Sequence, residues 1–590
     1  MKSIAALLKV HAAAAFQALY PEAGVTEAEI LVNETKPEFK GDYTIVLFPF
    51  VKSLRKNPVE LGRSIGEYLV SQYDEYTAHE TIAGFLNISI ADAFLAQYLN
   101  ELSTEMPTAA QGKRIMVEYS SPNTNKPLHL GHLRNNFLGV AVANILQEVG
   151  NKVIKTCVVN DRGVHICKSM IAWQMFGNGA TPASTQTKGD HFVGDYYVKF
   201  NDAYKEEVAA LVAEGMSKDE AEKEAPIMKA TQQMLVDWEA GKPEVISLWK
   251  TMNAWVYEGF DATYKAIGST FDKTYYESNT YLLGKDLVEQ GLQQGVFYQK
   301  PDNSVWIDLS GEGLDEKLVR RKDGTSVYIT QDIGLAVEKQ KEYQLDESIY
   351  VVGDEQNYHF KVLKLICQKL GLPGADGIYH LSYGMVELPT GKMKSREGTV
   401  VDADDLVAEM ITLAQEQTEA AGKTEGFTAE ELQNLYHIIG VGALKFYLLR
   451  VDPKKKMIFD PKESIDLHGF TATFIQYAHA RICSLLAKTN YVPQALQAQE
   501  ALLPAERQLL LTLEQYRSVL LQAAAEYNPS ALCNYSFKLA QLFNTFFEQC
   551  SIARAESEEK KLLRQTLAAH TATTIKHAMG LLGIAVPERM

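Results

Sequence analysis

The sequence predicts an α/β protein: a doubly wound parallel-sheet domain carrying a helical insertion, with a small α/β domain before it and an all-α helix bundle after it. Three observations lead there. "RIMVEYSS", an amphipathic helix from about Gly131 to Gly150, and "KVIKTCVVND" follow one another as strand, helix and strand, the opening unit of a parallel sheet. Strand-like runs recur at "ESIYVVGDEQ" and "IYHLSYGMVEL", separated by the helical "YHFKVLKLICQKLG". After residue 465 the strands stop, and four segments of about 20 residues each carry helical periodicity. With 590 residues, 46% hydrophobic and 22% charged, the chain has apolar sequence enough for several cores.

In order, an N-terminal helix leads to a strand at "EILVNE", and "FKGDYTIVLFPF" reads as another. Asn57-Pro58 opens the helix "NPVELGRSIGEYLVSQYDEY", because proline at the first helical position sacrifices no hydrogen bond. "TIAGFLNISI" alternates at period two and reads as one strand. The polar run "STEMPTAAQGK" reads as a linker, so the domains are expected at 1–108, 109–465 and 466–590. Within the second, the charged helical stretch from about 190 to 300 reads as an insertion.

Composition excludes several classes. The cysteines (157, 167, 367, 483, 533 and 550) are scattered without a CxxC pair, against a disulfide framework or a zinc site and in keeping with a reducing cytosol. Lys9 and His11 interrupt the apolar N-terminus, which reads as a helix face and not a signal peptide. The longest later apolar stretch, "HIIGVGALKFYLL", is too short to span a bilayer and contains Lys445. The expectation is a soluble cytoplasmic protein with no membrane partner. A net charge of −16 argues against nucleic acid as a partner, but whole-chain charge does not exclude local basic surfaces. "VDPKKKMIFDPKE" is one such cluster, as readily a solvated turn as a functional one.

A nucleotide site is expected at the carboxyl edge of the sheet, where helix N-termini aim their NH groups outward. The chain has no GxxxxGK[ST] loop and no GxGxxG that fits. It has instead "VEYSSPNTNKPLHLGHLRNN" at the first strand-to-helix turn. His129 and His132, three apart at a helix start, face one side and are able to donate to phosphate oxygens. Gly131 allows close approach to the backbone, and Lys126 adds a full charge. Read alone, the pair serves equally as cap and core histidines, and no third ligand accompanies it for a metal. The second element, "ELPTGKMKSREGTVV", brings Lys392, Lys394 and Arg396 on a glycine-flanked loop suited to a polyphosphate. Asn160, Asp161 and Gly163, in "VNDRGVH", fit either an adenylate contact or a tight structural turn.

The two elements together resemble the paired motifs of class I aminoacyl-tRNA synthetases. "VEYSSPNTNKPLHLGHLRN", "VYITQDIG", "VVGDEQNYHF", "KMKSREGTVV", "QYAHARICSLL" and "LLGIAVPERM", with "KGDY" near the start, are similar in order and spacing to the arginyl-tRNA synthetase family over nearly the whole chain. The resemblance implies a Rossmann-like catalytic domain, an N-terminal domain against the tRNA elbow and a C-terminal anticodon-binding bundle. It implies activation of arginine by ATP with Mg²⁺, no permanently bound cofactor, and transfer to the 2′-OH of the terminal adenosine of tRNA(Arg).

By the same resemblance Lys126, His129, His132 and Lys392 are catalytic. Pro127, His129, Gly131, His132, His359, Met393, Lys394 and Ser395 bind ATP. Glu118 and Asp332 grip the guanidinium beside Tyr328, as a planar cation requires. Ser121, Asn123, His129 and Gln356 complete the arginine site. Tyr477, Arg481 and Met590 bind the anticodon, where aromatic faces stack unpaired bases, although Phe474, Tyr477 and Phe543 read equally as bundle core. No resident metal is expected, and the family expectation is a monomer whose arginine site is assembled by bound tRNA. Ser395 stands where the class I loop usually has its second lysine; Lys126, Lys394 and Arg396 are each placed to replace that charge. A synthetase for another amino acid lacks support from the Glu118 and Asp332 pair, a nucleotidyltransferase has no use for the bundle, and a scaffold has none for the histidines and lysines.

Overall fold

The computed structural model describes residues 3–36, 38–102, 112–389, 401–422, 424–496 and 501–590. The stretch holding Lys392, Met393, Lys394, Ser395 and Arg396, and most of the polar run read as a linker, lie outside the described residues.

The N-terminal region folds as an antiparallel sheet against which the helices Ile4–Leu19 and Pro58–Gln72 pack. Its strands are β1 (Val32–Glu34), β2 (Tyr43–Val46), β3 (Tyr76–Ile82) and β4 (Phe85–Ile90), in the order β1-β2-β4-β3. Two expectations are corrected here. "FKGDYTIVLFPF" is a strand only over Tyr43–Val46, because Pro49 sits in the first turn of a helix, Phe48–Leu54, where its missing N–H is not needed. "TIAGFLNISI" spans a hairpin, not one strand, since Ala83 and Gly84 both take positive φ between β3 and β4.

The central sheet is built from β5 (Arg114–Glu118), β6 (Lys152–Val159), β7 (Lys273–Tyr276), β11 (Glu347–Gly353) and β12 (Ile378–Tyr383), all parallel, in the order β12-β11-β5-β6-β7. A small antiparallel sheet of β8 (Tyr298–Gln299), β9 (Val305–Ile307) and β10 (Lys317–Arg320) lies between β7 and β11 in sequence. The chain leaves β5 toward β6 on one side and returns to β11 on the other, so the crevice between the ends of β5 and β11 is the switch point where such sheets bind ligands. Ile115, Met116 and Val117 are all buried, as a strand covered on both faces demands.

The region 190–300 is not wholly an insertion. Helices Gly189–Ala213, Pro226–Glu239 and Pro243–Ile267 stand outside the sheet, but β7 returns to pair with β6. Its four residues alternate too briefly to announce themselves in sequence.

The helix following β5, Leu130–Glu148, is buried on nearly every face, including Arg134, Asn135 and Asn136. Arg134 and Asn135 are both employed. Asn135 accepts from the Ser120 N–H at 2.6 Å and donates to the Val351 carbonyl at 2.6 Å, stitching the two sides of the switch point together. Arg134 donates to the carbonyls of Gly384, Pro453 and Lys455, which fixes the turn bearing the exposed Lys454, Lys455 and Lys456. A last parallel pair, β13 (Val386–Glu387) with β14 (Met457–Ile458), closes the strands. The C-terminal bundle follows as helices Ala472–Lys488, Pro504–Glu514, Tyr516–Ala525, Ser530–Gln549 and Glu558–Leu581.

Candidate active site

At the carboxyl end of β5 the chain turns through Ser120 at φ +58°, is held against β6 by the Asn160 N–H on the Pro122 carbonyl at 2.9 Å, and reaches His129 as the N-cap of the buried helix. The two imidazoles replace the usual capping side chains. His129 Nδ1 accepts from the Gly131 N–H at 3.1 Å, and His132 Nδ1 accepts from the His129 N–H at 3.1 Å. A nitrogen that accepts carries no proton, so in each neutral ring Nε2 holds the hydrogen and is a donor. The rings lie 3.9 Å apart between centroids. Burial, with the Lys126 charge beside it, lowers His129 to about 4; burial and the neighbouring His129 and Lys126 push His132 well below the ordinary imidazole value. Both rings are neutral donors at pH 7. A Cβ on Gly131 would stand 3.0 Å from His129 Cε1, so glycine lets that ring fold over the helix start. Burial also lowers Lys126.

The carboxylates lie across the switch point. Glu118 ends β5 and is ion-paired with Lys339, a residue only 1% exposed, whose ammonium sits 4.9 Å from the Tyr350 ring centre. Asp332, on the helix Tyr328–Tyr343, accepts from His359 Nε2 at 2.7 Å. Tyr328 opens that helix at 74% exposure, and Ser121, Asn123 and Gln356 are exposed along the same edge. Sequence reasoning missed two groups here. Glu277 directly follows β7, and burial with Asp161 and Asp332 nearby raises it to about 6 against the opposing pull of Arg162. Lys339 lies on the same helix two turns beyond Asp332, and only the pairing with Glu118 marks it. Asp161 resolves toward structure: its carboxylate accepts from Tyr257 Oη, Ser278 Oγ and the Ser278 N–H at 2.7–2.9 Å.

Val401 and Ala403, which follow the lysine-rich stretch, bracket His129: the Leu130 N–H donates to the Val401 carbonyl at 3.1 Å and the Ala403 N–H to the Leu128 carbonyl at 3.0 Å.

Between the helix bundle and the helices Ala403–Ala420 and Ala429–Leu449, a cavity of about 470 Å³ is lined by Phe474, Tyr477, Arg481, Asn544 and Met590, among others. The Arg481 guanidinium stacks over Tyr477 at 4.9 Å and Phe547 at 5.4 Å while donating to Asn544 Oδ1 at 2.9 Å. Phe543 is fully buried, as core.

Three family models match the chain: the arginyl tRNA synthetase N-terminal domain over residues 3–90, the class I (R) tRNA synthetase catalytic domain over 95–460, and the DALR anticodon-binding domain over 475–590. The arginine–tRNA ligase of Bacteroides fragilis is 52% identical over 583 residues, covering 97% of this chain and 98% of that one. That of Flavobacterium psychrophilum is 51% identical over 582 residues, covering 96% and 97%. Among solved structures, the Thermus thermophilus arginyl-tRNA synthetase superposes with a TM-score of 0.81 at 23% identity and the Plasmodium falciparum enzyme with 0.77 at 16%, each covering both chains fully; at these identities the likeness is one of fold.

Proposed function

The chain belongs to the arginyl-tRNA synthetase family, and on that premise we propose how its residues divide the work of an arginine–tRNA ligase. The reaction joins arginine to ATP as arginyl-adenylate, releasing pyrophosphate, and then moves arginine to the 2′-OH of the terminal adenosine of tRNA(Arg).

The observation that carries the reading is the pair of imidazoles whose Nδ1 atoms are consumed by the helix cap, leaving two fixed Nε2 donors beside Lys126 at the switch point. Donors already in place require no reorganisation as charge grows on the phosphates, which is where electrostatic catalysis has its largest effect. ATP enters as its magnesium complex, the ion riding on the substrate's phosphates. Pro127 and Gly131 shape the turn, His359, Met393, Lys394 and Ser395 complete the nucleotide site, and Lys392 adds charge.

Asp332 is the principal partner of the guanidinium. Glu277, raised to about 6 by burial and by the acids around it, is held ionised by an arriving cation and so adds a second carboxylate. Glu118, expected beside Asp332 at the guanidinium, has one oxygen taken up by Lys339, and on that ground we place it behind the wall of the site. Tyr328, Ser121, Asn123, His129 and Gln356 surround the rest of arginine. The arginine carboxylate then attacks the α-phosphorus while His129 and His132 donate to the phosphate oxygens.

For tRNA, the cavity at Tyr477, Arg481 and Met590 supplies stacking surfaces and a guanidinium for an unpaired anticodon base. We assign residues 1–108 to the tRNA elbow, 109–465 to catalysis and 466–590 to the anticodon, in a cytoplasmic monomer. Among the described residues no helix is long and apolar enough to cross a membrane.

The test is arginine-dependent exchange between ATP and pyrophosphate, with lysine as control, with and without tRNA(Arg). Exchange with arginine alone among the two amino acids supports the reading, and a requirement for tRNA adds the assembled site. Folded protein that binds tRNA yet exchanges nothing overturns it in favour of a scaffold.

A further inference from the structure

The insertion helix Gly189–Ala213 begins in a charged cluster that the chemistry above leaves unused. The Lys188 ammonium donates to Asp190 Oδ2 at 3.1 Å, Thr263 Oγ1 at 2.5 Å and Asp404 Oδ2 at 2.6 Å. His191 Nε2 lies 3.1 Å from the same Asp404 oxygen and 3.4 Å from Asp402. Thr263 donates to the other Asp404 oxygen at 2.9 Å. Asp190 is fully buried, and its neighbours leave no room to shift: a Cβ on Gly259 would stand 2.3 Å from Asp190 Oδ1.

The cluster reaches the active-site turn by two routes. Asp402 accepts from the Asp404 and Asp405 N–H groups, capping the helix Ala403–Ala420. Val401 and Ala403, on either side of it, make the backbone bonds that straddle His129. Directly, Gly194 lies against the same turn, where an added Cβ would meet Pro127 Cδ at 2.9 Å and Lys126 Cα at 3.6 Å. One helix end therefore backs Lys126 and Pro127 from behind and grips the segment paired with His129 from the side.

We propose that Lys188 and His191 are positioning residues for adenylate formation, which hold Lys126 and His129 in register through Asp404, Asp402 and the Leu128–Leu130 bridge. The proposal rests on the reading of the site given above. Neither residue touches a reactant. Their contribution is geometric, since a displacement of about 1 Å in a catalytic donor lowers rates on the order of a hundredfold. A half-buried cluster anchored on the buried Asp190 and Thr263 suits the task because its few satisfied arrangements are discrete. The charged groups facing His191 are Asp402 and Asp404 on one helix and Asp190 and Lys188 on its own segment. The hydrogen bond to Asp404 leads in raising its imidazole above the ordinary value, so the ion pair gains charge where the contact is closest.

The experiment uses the full chain with tRNA(Arg), comparing wild type with Lys188→Met, Lys188→Arg and His191→Gln in arginine-dependent ATP–pyrophosphate exchange, with thermal midpoints measured on the same samples. The expected result for Lys188→Met is a kcat per folded molecule lowered by about tenfold or more, with the arginine KM within about twofold. Lys188→Arg, which keeps the charge, is expected to recover most of the rate. His191→Gln keeps the hydrogen bond without the charge and is expected to fall between. If Lys188→Met does not fold, His191→Gln carries the test alone. A wild-type kcat in the folded variants, or an arginine KM that rises in step with the loss, overturns the proposal. A wild type without exchange overturns the reading it rests on.

Discussion

The two imidazoles do opposite jobs on their two nitrogens, and each is separately testable. Asparagine places an acceptor near the Nδ1 position without a donor at Nε2. His132→Asn is therefore expected to keep the helix cap while lowering kcat of exchange by about 10²–10³, read against a thermal midpoint close to wild type. The pH dependence follows from burial. A histidine lowered in the folded state leaves the unfolded chain binding more protons as pH falls below the ordinary imidazole value of 6.5, so stability is lost from there down toward the folded value, about 4 for His129. Denaturant titrations of the double variant with asparagine at positions 129 and 132 are expected to show a shallower loss between pH 6.5 and 4. Across the pocket, Asp332→Asn removes the charge from the hydrogen bond offered to a guanidinium. It is expected to lower kcat/KM for arginine by about 30- to 5,000-fold, the 2–5 kcal/mol typical of a truncated charge pair, with the ATP KM changed much less. The histidines were legible in sequence because an HxGH turn is paired with a later lysine-rich loop, and Asp332 only because "VYITQDIG" resembles the family's motif. Glu277 was not, because nothing local distinguishes a carboxylate after a four-residue strand from a surface acid.

At the scale of elements, what decides the site is how closely helices approach. Replacing a helix-interior glycine by alanine ordinarily stabilises by about 0.8–1 kcal/mol. Gly194→Ala is expected to forfeit that gain, because its Cβ arrives at 2.9 Å from Pro127 Cδ and the turn must yield. The measurable outcome is a lowered kcat of exchange with a thermal midpoint no higher than wild type. Periodicity revealed the helix Leu130–Glu148 but not its tasks: Arg134 and Asn135 look like the polar face of an amphipathic helix, yet they are buried and serve the carbonyls of Gly384 and Val351. The same limit applies to "KKK". Sequence left the turn undecided between solvated and functional, and what fixes its shape is Arg134, some 320 residues earlier in the chain.

At the scale of the molecule, the "KGDY" motif turns out to fasten the first region to the last. Arg507 grips Asp42 through Nη2 at 2.6 Å and Nε at 3.2 Å, and also pairs with Asp92. Tyr43 donates to Glu514 at 2.5 Å, and the Ile4 N–H to the other oxygen of that carboxylate at 2.7 Å. The N-terminal region thereby rides on the helix bundle. Arg507→Ala is expected to weaken that docking by about 2–5 kcal/mol, seen as faster proteolysis within residues 1–108 and a larger radius of gyration in solution scattering, with arginine activation retained.

By itself the sequence determined the class of the fold and the family, and marked the strand-to-helix turn that carries His129 and His132, because hydrophobic period, strand-to-helix punctuation and a compact motif are all written in neighbouring residues. Only the tertiary structure decided the return of β7 to the sheet, the pairing of Glu118 with Lys339, the carboxylate of Glu277 facing Asp332, the cluster around Lys188 and the clasp at Arg507. Each joins residues far apart in the chain through burial, and the energy of a buried charge depends on the partner that folding brings to it.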